Sequence, residues 1–360
     1  MSVLIVGGSG LVGTAAIDAF LQAGWSVLSA SRRRPEVFSD KAFSHIPLDL
    51  ADSDACKAVI RQHPEITHVV YAAVLETPGL IKGWKDPEQM QANLAMFRNI
   101  VDSVANGGNL QHITLLQGTK AYGVHHHPIR IPSREAEPRD QHENFYWLQE
   151  DYVREHSARY GYQWTIFRPP LIVGPNYGVA MNIPPVIGAY AALSKHENRP
   201  FSFPGGVSYV AEAVDTRIVA DAAVWATTSC NAWGKHFNIT NGEVFEWRDL
   251  WPALADTLGV EVGEDEPTRV SEFLSARSGV WSQVVHKFGL RPLTLKELVG
   301  ESHHYADFQF AFGAQRQPPP ALMSTVKLHE AGFHAVRDTE ESFRHWLQVL
   351  VDRKVLPYLG

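Results

Sequence analysis

The chain of 360 residues contains only two cysteines, Cys56 and Cys230, which are too few for a disulfide framework. No apolar run approaches the roughly 18 residues that a membrane-spanning helix needs, and the N-terminus lacks the basic segment and apolar core of a signal peptide. The net charge of −7 excludes the basic surface of a typical nucleic-acid-binding protein. We therefore expect a soluble, cytoplasmic protein with no membrane or nucleic-acid partner.

Short apolar runs alternate with helical patterns through the first half of the chain, notably with helices over residues 11–23, 86–105 and 146–160. The predicted strands cover residues 3–6, 27–30, 43–48, 68–73, 113–116 and 163–168. This alternation predicts an α/β fold with a Rossmann-type, doubly wound parallel sheet that is covered by helices on both faces.

The composition changes after Arg168, where Pro and Gly become frequent and helical patterns dominate, with short strand candidates such as residues 236–239. We interpret residues 1–170 as a Rossmann domain, with later returns to the sheet near residues 205–245. Residues 171–360 are predicted to form a smaller, mostly helical C-terminal substrate-binding lobe that is interleaved with it.

A glycine-rich turn with the pattern G-x-x-G-x-x-G follows the first predicted strand. Glycine lets the backbone turn sharply and approach a pyrophosphate, and the helix N-terminus behind the turn offers free N–H groups to the anion. The alternative is an ordinary glycine-rich turn, but the position between a strand and an amphipathic helix favours dinucleotide binding. The predicted cofactor contacts in this turn are Gly7, Ser9, Gly10, Leu11, Val12 and Gly13.

The end of the second predicted strand lacks the acidic residue with which NAD enzymes bind the ribose hydroxyls. It carries Ser31, Arg32 and Arg33 instead. Guanidinium groups suit a 2′-phosphate through their charge and their paired donors, so we predict NADP(H) as the cofactor; the alternative is a solvated basic loop. Asp49 and Leu50, at the end of the third strand, are predicted to contact the adenine. Ala72 and Ala73, after the fourth strand, are small enough for the cofactor to lie close to the backbone.

The chain also lacks the Tyr-x-x-x-Lys pair of ordinary short-chain dehydrogenases, in which the lysine lowers the pKa of the tyrosine. The best-placed tyrosine is Tyr146, on the helix after the fifth strand, and Glu150 stands four residues later. A lysine occurs instead at Lys120, just beyond the fifth strand. From position alone, Tyr146 could equally be a packed helix tyrosine and Lys120 a surface lysine.

The segments around these residues resemble the progesterone 5β-reductase/iridoid synthase-like enone reductases, a family within the extended short-chain dehydrogenase/reductases. The sequence NFYWLQED at residues 144–151 looks like the N-F-Y-Y-x-x-E-D signature of that family, and GTKAY at residues 118–122 looks like its G-x-K-x-Y segment. Further matches lie at residues 168–169, 181–182, 203–205 and 237–247, so the resemblance covers nearly the whole chain. Two departures concern the substrate: Trp147 replaces the second tyrosine, and Val74 stands where plant members often carry an aromatic residue.

The resemblance implies NADPH-dependent reduction of the activated C=C bond of a small-molecule enone or enal. Hydride delivered to the β-carbon moves negative charge onto the carbonyl oxygen, where the hydroxyl of Tyr146, assisted by Lys120, would stabilise the enolate. The resemblance also places several residues beside the nicotinamide half of the cofactor, namely Leu116, Gln117, Tyr146, Pro170, Ile172, Val179, Ala180 and Met181.

Two other functions stay open at this point. One is a carbonyl reductase or sugar-nucleotide epimerase of the same fold, against which Arg32, Arg33 and the missing Tyr-x-x-x-Lys pair count. The other is a non-catalytic NADPH-sensing module, which the presence of Glu150 makes conceivable. By analogy with the fold, we expect a homodimer. The histidines at 125–127 cannot all face one ion on a regular element, so we predict a solvated loop and no metal site.

Overall fold

The structure, a computed structural model, describes residues 1–77 and 83–360. The strands within these residues are β1 (Ser2–Val6), β2 (Ser26–Ser31), β3 (Ser44–Pro47), β4 (His68–Tyr71), β5 (His112–Leu116), β6 (Gln163–Arg168), β7 (Leu171–Val173), β8 (Ala213–Asp215) and β9 (Lys235–Asn238). The helices are α1 (Leu11–Gln22), α2 (Ser53–Ile60), α3 (Pro87–Ala105), α4 (Phe145–Tyr160), α5 (Pro184–His196), α6 (Thr216–Thr228), α7 (Trp247–Leu258), α8 (Val270–Ser275), α9 (Ser278–Phe288), α10 (Leu295–Val299), α11 (Ser302–Gln309), α12 (Val326–Glu330) and α13 (Thr339–Asp352).

Seven strands form one parallel sheet in the order β3-β2-β1-β4-β5-β6-β9. The predicted Rossmann-type sheet is confirmed, and the strand expected at residues 236–239 is its edge strand β9. Val6, at the end of β1, pairs with Ala30 of β2 and with Tyr71 of β4, so these strands end at one edge. The strand order reverses at β1, and the crevice beyond the ends of β1 and β4 is where such sheets bind dinucleotides.

Helices cover both faces of the sheet. On one face, α2, α3 and α4 bury Phe97, Ile100 and Val153 against the strands. On the other face, α1 and α6 pack against each other and against the sheet. Because both faces are covered, the strands are apolar along most of their length, and all five residues of β1 are buried.

A second apolar core lies outside the sheet, where α5, α7 and α13 pack around Trp251, Trp281 and Phe343. The strands β7 and β8 form a separate two-stranded parallel sheet. The division of the chain at residue 170 stays a prediction. Among the described residues, none of the helices combines the length and the apolar character that crossing a bilayer requires.

Candidate active site

The glycine-rich turn lies at the carboxyl end of β1, in the crevice next to β4. Gly7 has a φ of +81°, and a Cβ atom there would come within 2.7 Å of the backbone nitrogen of Ala73. A Cβ atom at Gly13 would lie 2.2 Å from the carbonyl oxygen of Gly7. These glycines keep the turn tight against β4 and let α1 begin at once, with Gly10 as an N-cap that offers no side-chain hydrogen bond. The turn therefore fits a pyrophosphate at the N-terminus of α1.

The side chain of Asn176, which the sequence analysis did not identify, also fixes the glycine-rich turn. Asn176, between β7 and α5, donates from Nδ2 to the carbonyl oxygen of Ser9 at 3.3 Å and to Oγ1 of Thr14 at 2.9 Å. Thr14 in turn donates to the carbonyl oxygen of Gly8 at 3.0 Å. The glycine-rich turn is thus fixed by side chains as well as by its own backbone.

The arginines predicted to bind a 2′-phosphate follow β2 directly. Arg32 and Arg33 are exposed, and the hydroxyl of Ser31 donates to the carbonyl oxygen of Arg33 at 2.7 Å, which shapes the turn. The guanidinium of Arg33 reaches across the cleft to within 3.7 Å of the Cβ position at Gly178. Arg34 differs from both, because its guanidinium lies 5.1 Å from the ring centre of Phe43.

The other residues predicted to contact the cofactor border the same edge of the sheet, but several of their side chains are already engaged. The side chains of Val12 and Leu50 are buried in the core, and the carboxylate of Asp49 accepts from the backbone of Ala51. These residues can therefore offer the cofactor mainly main-chain groups. Leu11, Ala72, Ala73, Leu116, Pro170, Ile172, Val179, Ala180 and Met181 are all partly exposed.

Tyr146 and Lys120 both contact the indole ring of Trp84, a residue that the sequence analysis did not identify. The Nζ atom of Lys120 lies 3.7 Å from the ring centre of Trp84, and the ring of Tyr146 packs edge-on against the same indole at 5.3 Å. Met181 completes the surroundings of the ammonium, with its Sδ atom 3.8 Å away. The hydroxyl of Tyr146 lies 3.3 Å from the Cβ position at Gly118, so the glycine of the GTKAY segment leaves room for it.

A buried carboxylate, Glu76, adds to the electrostatics of this pair. It accepts from Nε1 of Trp84 at 3.3 Å. Burial lowers the pKa of Lys120 to about 8, although the charge of Glu76 opposes this. Burial, then Glu76, then Tyr305 of α11 raise the pKa of Tyr146 above its usual value of 10. Tyr146 therefore stays protonated at neutral pH and can donate a hydrogen bond but not act as a tyrosinate base.

Glu150, one helical turn after Tyr146, lies at the centre of a cluster of positive charge. It is 1% exposed, and its carboxylate contacts Arg154 at 2.7 Å, Arg139 at 3.1 Å and Arg168 at 3.5 Å. Its Oε2 atom also accepts from Gln117 at 2.9 Å. Burial raises the pKa of Glu150, but the hydrogen bond from Gln117 and the charges of Arg168 and Arg139 outweigh burial and hold the pKa below its usual value.

Gln117 connects the Glu150 cluster to the backbone of Tyr146. Its side chain donates to the carbonyl oxygen of Tyr146 at 3.3 Å and accepts from Nε of Arg168 at 2.8 Å. The sequence analysis placed Gln117 beside the cofactor, and the structure shows that its amide side chain joins α4 to the ends of β5 and β6. The position of Tyr146 therefore depends on the buried Glu150 cluster.

Comparison with known proteins identifies the family of the chain. The model of the NAD dependent epimerase/dehydratase family matches residues 3–240. The chain belongs to this family. It is 31% identical to an (S)-8-oxocitronellyl enol synthase of Antirrhinum majus, over 98% of this chain and 90% of that protein. It is 29% identical to a 3-oxo-Delta(4,5)-steroid 5-beta-reductase of Arabidopsis thaliana, over 98% of this chain and 92% of that protein.

These relatives confirm the predicted membership among the progesterone 5β-reductase/iridoid synthase-like reductases. Among solved structures, a UDP-glucose 4-epimerase of Thermus thermophilus in complex with NAD covers 99% of this chain, with 99% of that chain aligned, a TM-score of 0.65 and 18% identity. At that identity the likeness shows the fold alone. The family and the glycine-rich turn together support a nicotinamide cofactor.

The first prediction concerns the Glu150 cluster. Glu150→Gln should lower the free energy of unfolding by about 3–5 kcal/mol, because it leaves Arg168 buried without its charge partner. Since the pKa of Glu150 is lowered from 4.5, this contribution should be complete above that pH and shrink as the pH falls through the lowered pKa. Urea denaturation of both proteins over a series of pH values measures it.

Glu155→Gln is the matched control, because Glu155 lies on the same helix in an exposed pair with Arg159 at 3.7 Å. Such a pair contributes at most about 0.5 kcal/mol. Equal losses of stability in the two variants would contradict the account of the buried cluster.

The second prediction concerns the cofactor. Replacing Arg32 and Arg33 together with alanine should weaken NADPH binding by about 2 kcal/mol, or roughly 30-fold, since exposure reduces the contribution of each charge-assisted contact. NADH binding should stay nearly constant. Fluorescence titration with both cofactors measures the change, and Arg34→Ala, whose guanidinium lies over Phe43, is the control. Equal affinity of the wild type for NADPH and NADH would refute the assignment.

Proposed function

We propose that the protein transfers hydride from NADPH to the β-carbon of an α,β-unsaturated carbonyl compound. The observation that carries this proposal is the buried Tyr146 in the first turn of α4, whose hydroxyl lies beside Gly118, with the carboxylate of Glu150 where ordinary short-chain dehydrogenases have a lysine. The names of the relatives agree with it. A 3-oxo-Delta(4,5)-steroid is a conjugated enone, and an enol is what hydride addition to the β-carbon of an enal produces.

For hydride addition to a conjugated C=C bond, the main group that the protein has to provide is a hydrogen-bond donor. When bound, reduced nicotinamide supplies the hydride. The C=C electrons then move towards the carbonyl, and negative charge develops on its oxygen. The hydroxyl of Tyr146 is placed to donate to that oxygen, and a donor in a buried site stabilises such charge more than water does. The proton at the α-carbon can come from water, so no tyrosinate has to be regenerated.

Lys120 contributes positive charge near the same oxygen. Its ammonium lies against the indole face of Trp84, close enough to Glu76 for that carboxylate to raise its pKa. A pKa of about 8 leaves most of the lysine charged at neutral pH. We assign Lys120 an electrostatic role through this position, together with its predicted support of Tyr146.

The competing functions fit the site less well. Ketone reduction and epimerisation of the ordinary kind use a tyrosine whose pKa is lowered by a lysine four residues later, and here that position carries Glu150. A binding module without activity would not need a donor beside the cofactor cleft. Neither alternative gains a supporting observation from the site.

The NADP preference of the cofactor site belongs to this proposal and is supported by Arg32 and Arg33. Both guanidinium groups lie at the end of β2, where an acid would repel a 2′-phosphate. The homodimer and the cytoplasmic location stay predictions.

The third prediction tests the role of Tyr146. Tyr146→Phe should lower kcat for NADPH-dependent enone reduction by about 10²–10³, the usual effect of losing one oxyanion donor. Binding of NADPH should change little. The assay follows NADPH oxidation with a panel of small enones, enals and steroidal enones, and saturated ketones serve as negative substrates.

Tyr160→Phe is the matched control, because Tyr160 lies on the same helix, is 43% exposed and donates from its hydroxyl to Asn106. It should retain the wild-type rate. A kcat for Tyr146→Phe within a few-fold of the wild type would show that another group stabilises the oxygen. Turnover of saturated ketones in preference to enones would refute the proposed reaction itself.

A further inference from the structure

Three histidines converge near the active site although they do not form a continuous run. His125 and His126 follow the turn after β5, and His142 precedes α4 by three residues. One ring nitrogen of each lies within 4.8 Å of the others. We propose that His125, His126 and His142, the histidine cluster, bind a divalent transition-metal ion of the Zn²⁺ type. This inference does not rest on the proposed function.

His125 is a partly buried member of the cluster. Both of its ring nitrogens are buried, and neither has a hydrogen-bond partner among the described residues. Its ring centre lies 4.1 Å from that of His126 and 5.0 Å from that of His142. A buried polar group without a partner needs an explanation, and a metal ion on its lone pair provides one.

His142 has the hydrogen bond that a metal-binding histidine commonly has. Its Nδ1 atom donates to Oδ1 of Asp140 at 2.7 Å, which fixes the lone pair on Nε2, as in carboxylate–histidine–metal arrangements. The other oxygen of Asp140 accepts from His127 at 2.5 Å, so the carboxylate is held on both sides. Asn144 donates to Nε2 of His142 at 3.2 Å, but its amide also donates to the carbonyl oxygen of Lys120 and keeps that bond when a metal takes the lone pair.

The backbone explains why two consecutive histidines can share one ion here. Gly123 has a φ of +78°, and its carbonyl oxygen accepts from the backbone of His126 and of His127. This tight turn brings the rings of His125 and His126 to one side, while His127 turns to Asp140. The run of three histidines does not form the site by itself, because the third ligand is His142, which is distant in sequence.

The geometry suits tetrahedral coordination after small movements. Zn–N distances of about 2.0–2.1 Å place ligand nitrogens roughly 3.3 Å apart, so ring nitrogens that now lie within 4.8 Å of one another have to move closer together around the ion. Three nitrogen ligands leave the fourth position to water or a carboxylate. The cluster contacts Trp84 through His125, whose ring centre is 6.3 Å from that of the indole. Because His125 and His126 lie in the loop after Lys120 and His142 precedes α4, a bound ion would connect this loop to the start of the helix that carries Tyr146.

Zn²⁺ titrated into the untagged chain, followed by equilibrium dialysis and metal analysis, tests the site. We expect one Zn²⁺ per chain, bound saturably in the wild type and lost in His126→Ala and in His142→Ala. Asp140→Asn should weaken binding roughly 10–100-fold, as substitutions of residues that orient a metal ligand do. Co²⁺ bound to the wild type should show the intense visible bands of tetrahedral coordination.

His304→Ala is the control, because His303 and His304 form a second pair, with ring centres 4.2 Å apart, that belongs to no group of three metal-ligating side chains among the described residues. It should bind Zn²⁺ like the wild type. Circular dichroism establishes that each variant is folded, and the Co²⁺ spectrum of the wild type is decisive without any variant. Less than one Zn²⁺ per wild-type chain, or the same binding in His126→Ala as in the wild type, would overturn the proposal.

Discussion

The carboxylate of Glu150 is the charge on which the active site depends. It lies 1% exposed between Arg139, Arg154 and Arg168, and one of its oxygens accepts from Gln117. A buried carboxylate persists only when such partners offset its desolvation. Because Gln117 also bonds the backbone of Tyr146 and the side chain of Arg168, the same cluster joins α4 to the sheet. The position four residues after the tyrosine is therefore structural and cannot supply an ammonium group.

This constraint decides what the tyrosine can do. Burial first, and then the charge of Glu76, raise the pKa of Tyr146, so that Tyr146 keeps its proton. A neutral phenol is a poor base but a good donor, and hydride addition to a conjugated C=C bond needs a donor at the carbonyl oxygen. Lys120 contributes charge from the face of Trp84. In the proposed reaction, the exchange of lysine for glutamate accompanies a change from C=O to C=C reduction.

The parallel sheet could be predicted from the sequence because each strand is an apolar run between helical patterns, and the glycine-rich turn because its spacing follows from steric need. The sequence could not show which residues from distant segments lie close together in the folded chain. Trp84, Glu76, Asn176 and Tyr305 lie in turns or in the lobe, without a periodic signal or a motif, and they reach the site only through the folded chain. Glu150 was identified as the wrong charge for activating Tyr146, but its three arginine partners come from separate segments. His142 was missed for the same reason.

The position of the transferred hydride tests the central claim most directly. Reduction of an enone with NADPH that carries deuterium at the transferred position should place the label on the carbon β to the carbonyl and leave the carbonyl intact. Nuclear magnetic resonance of the product locates the label. Deuterium on a carbinol carbon would contradict the account, because it would show that Tyr146 serves the reduction of a C=O bond and that the Glu150 cluster does not restrict the enzyme to conjugate reduction.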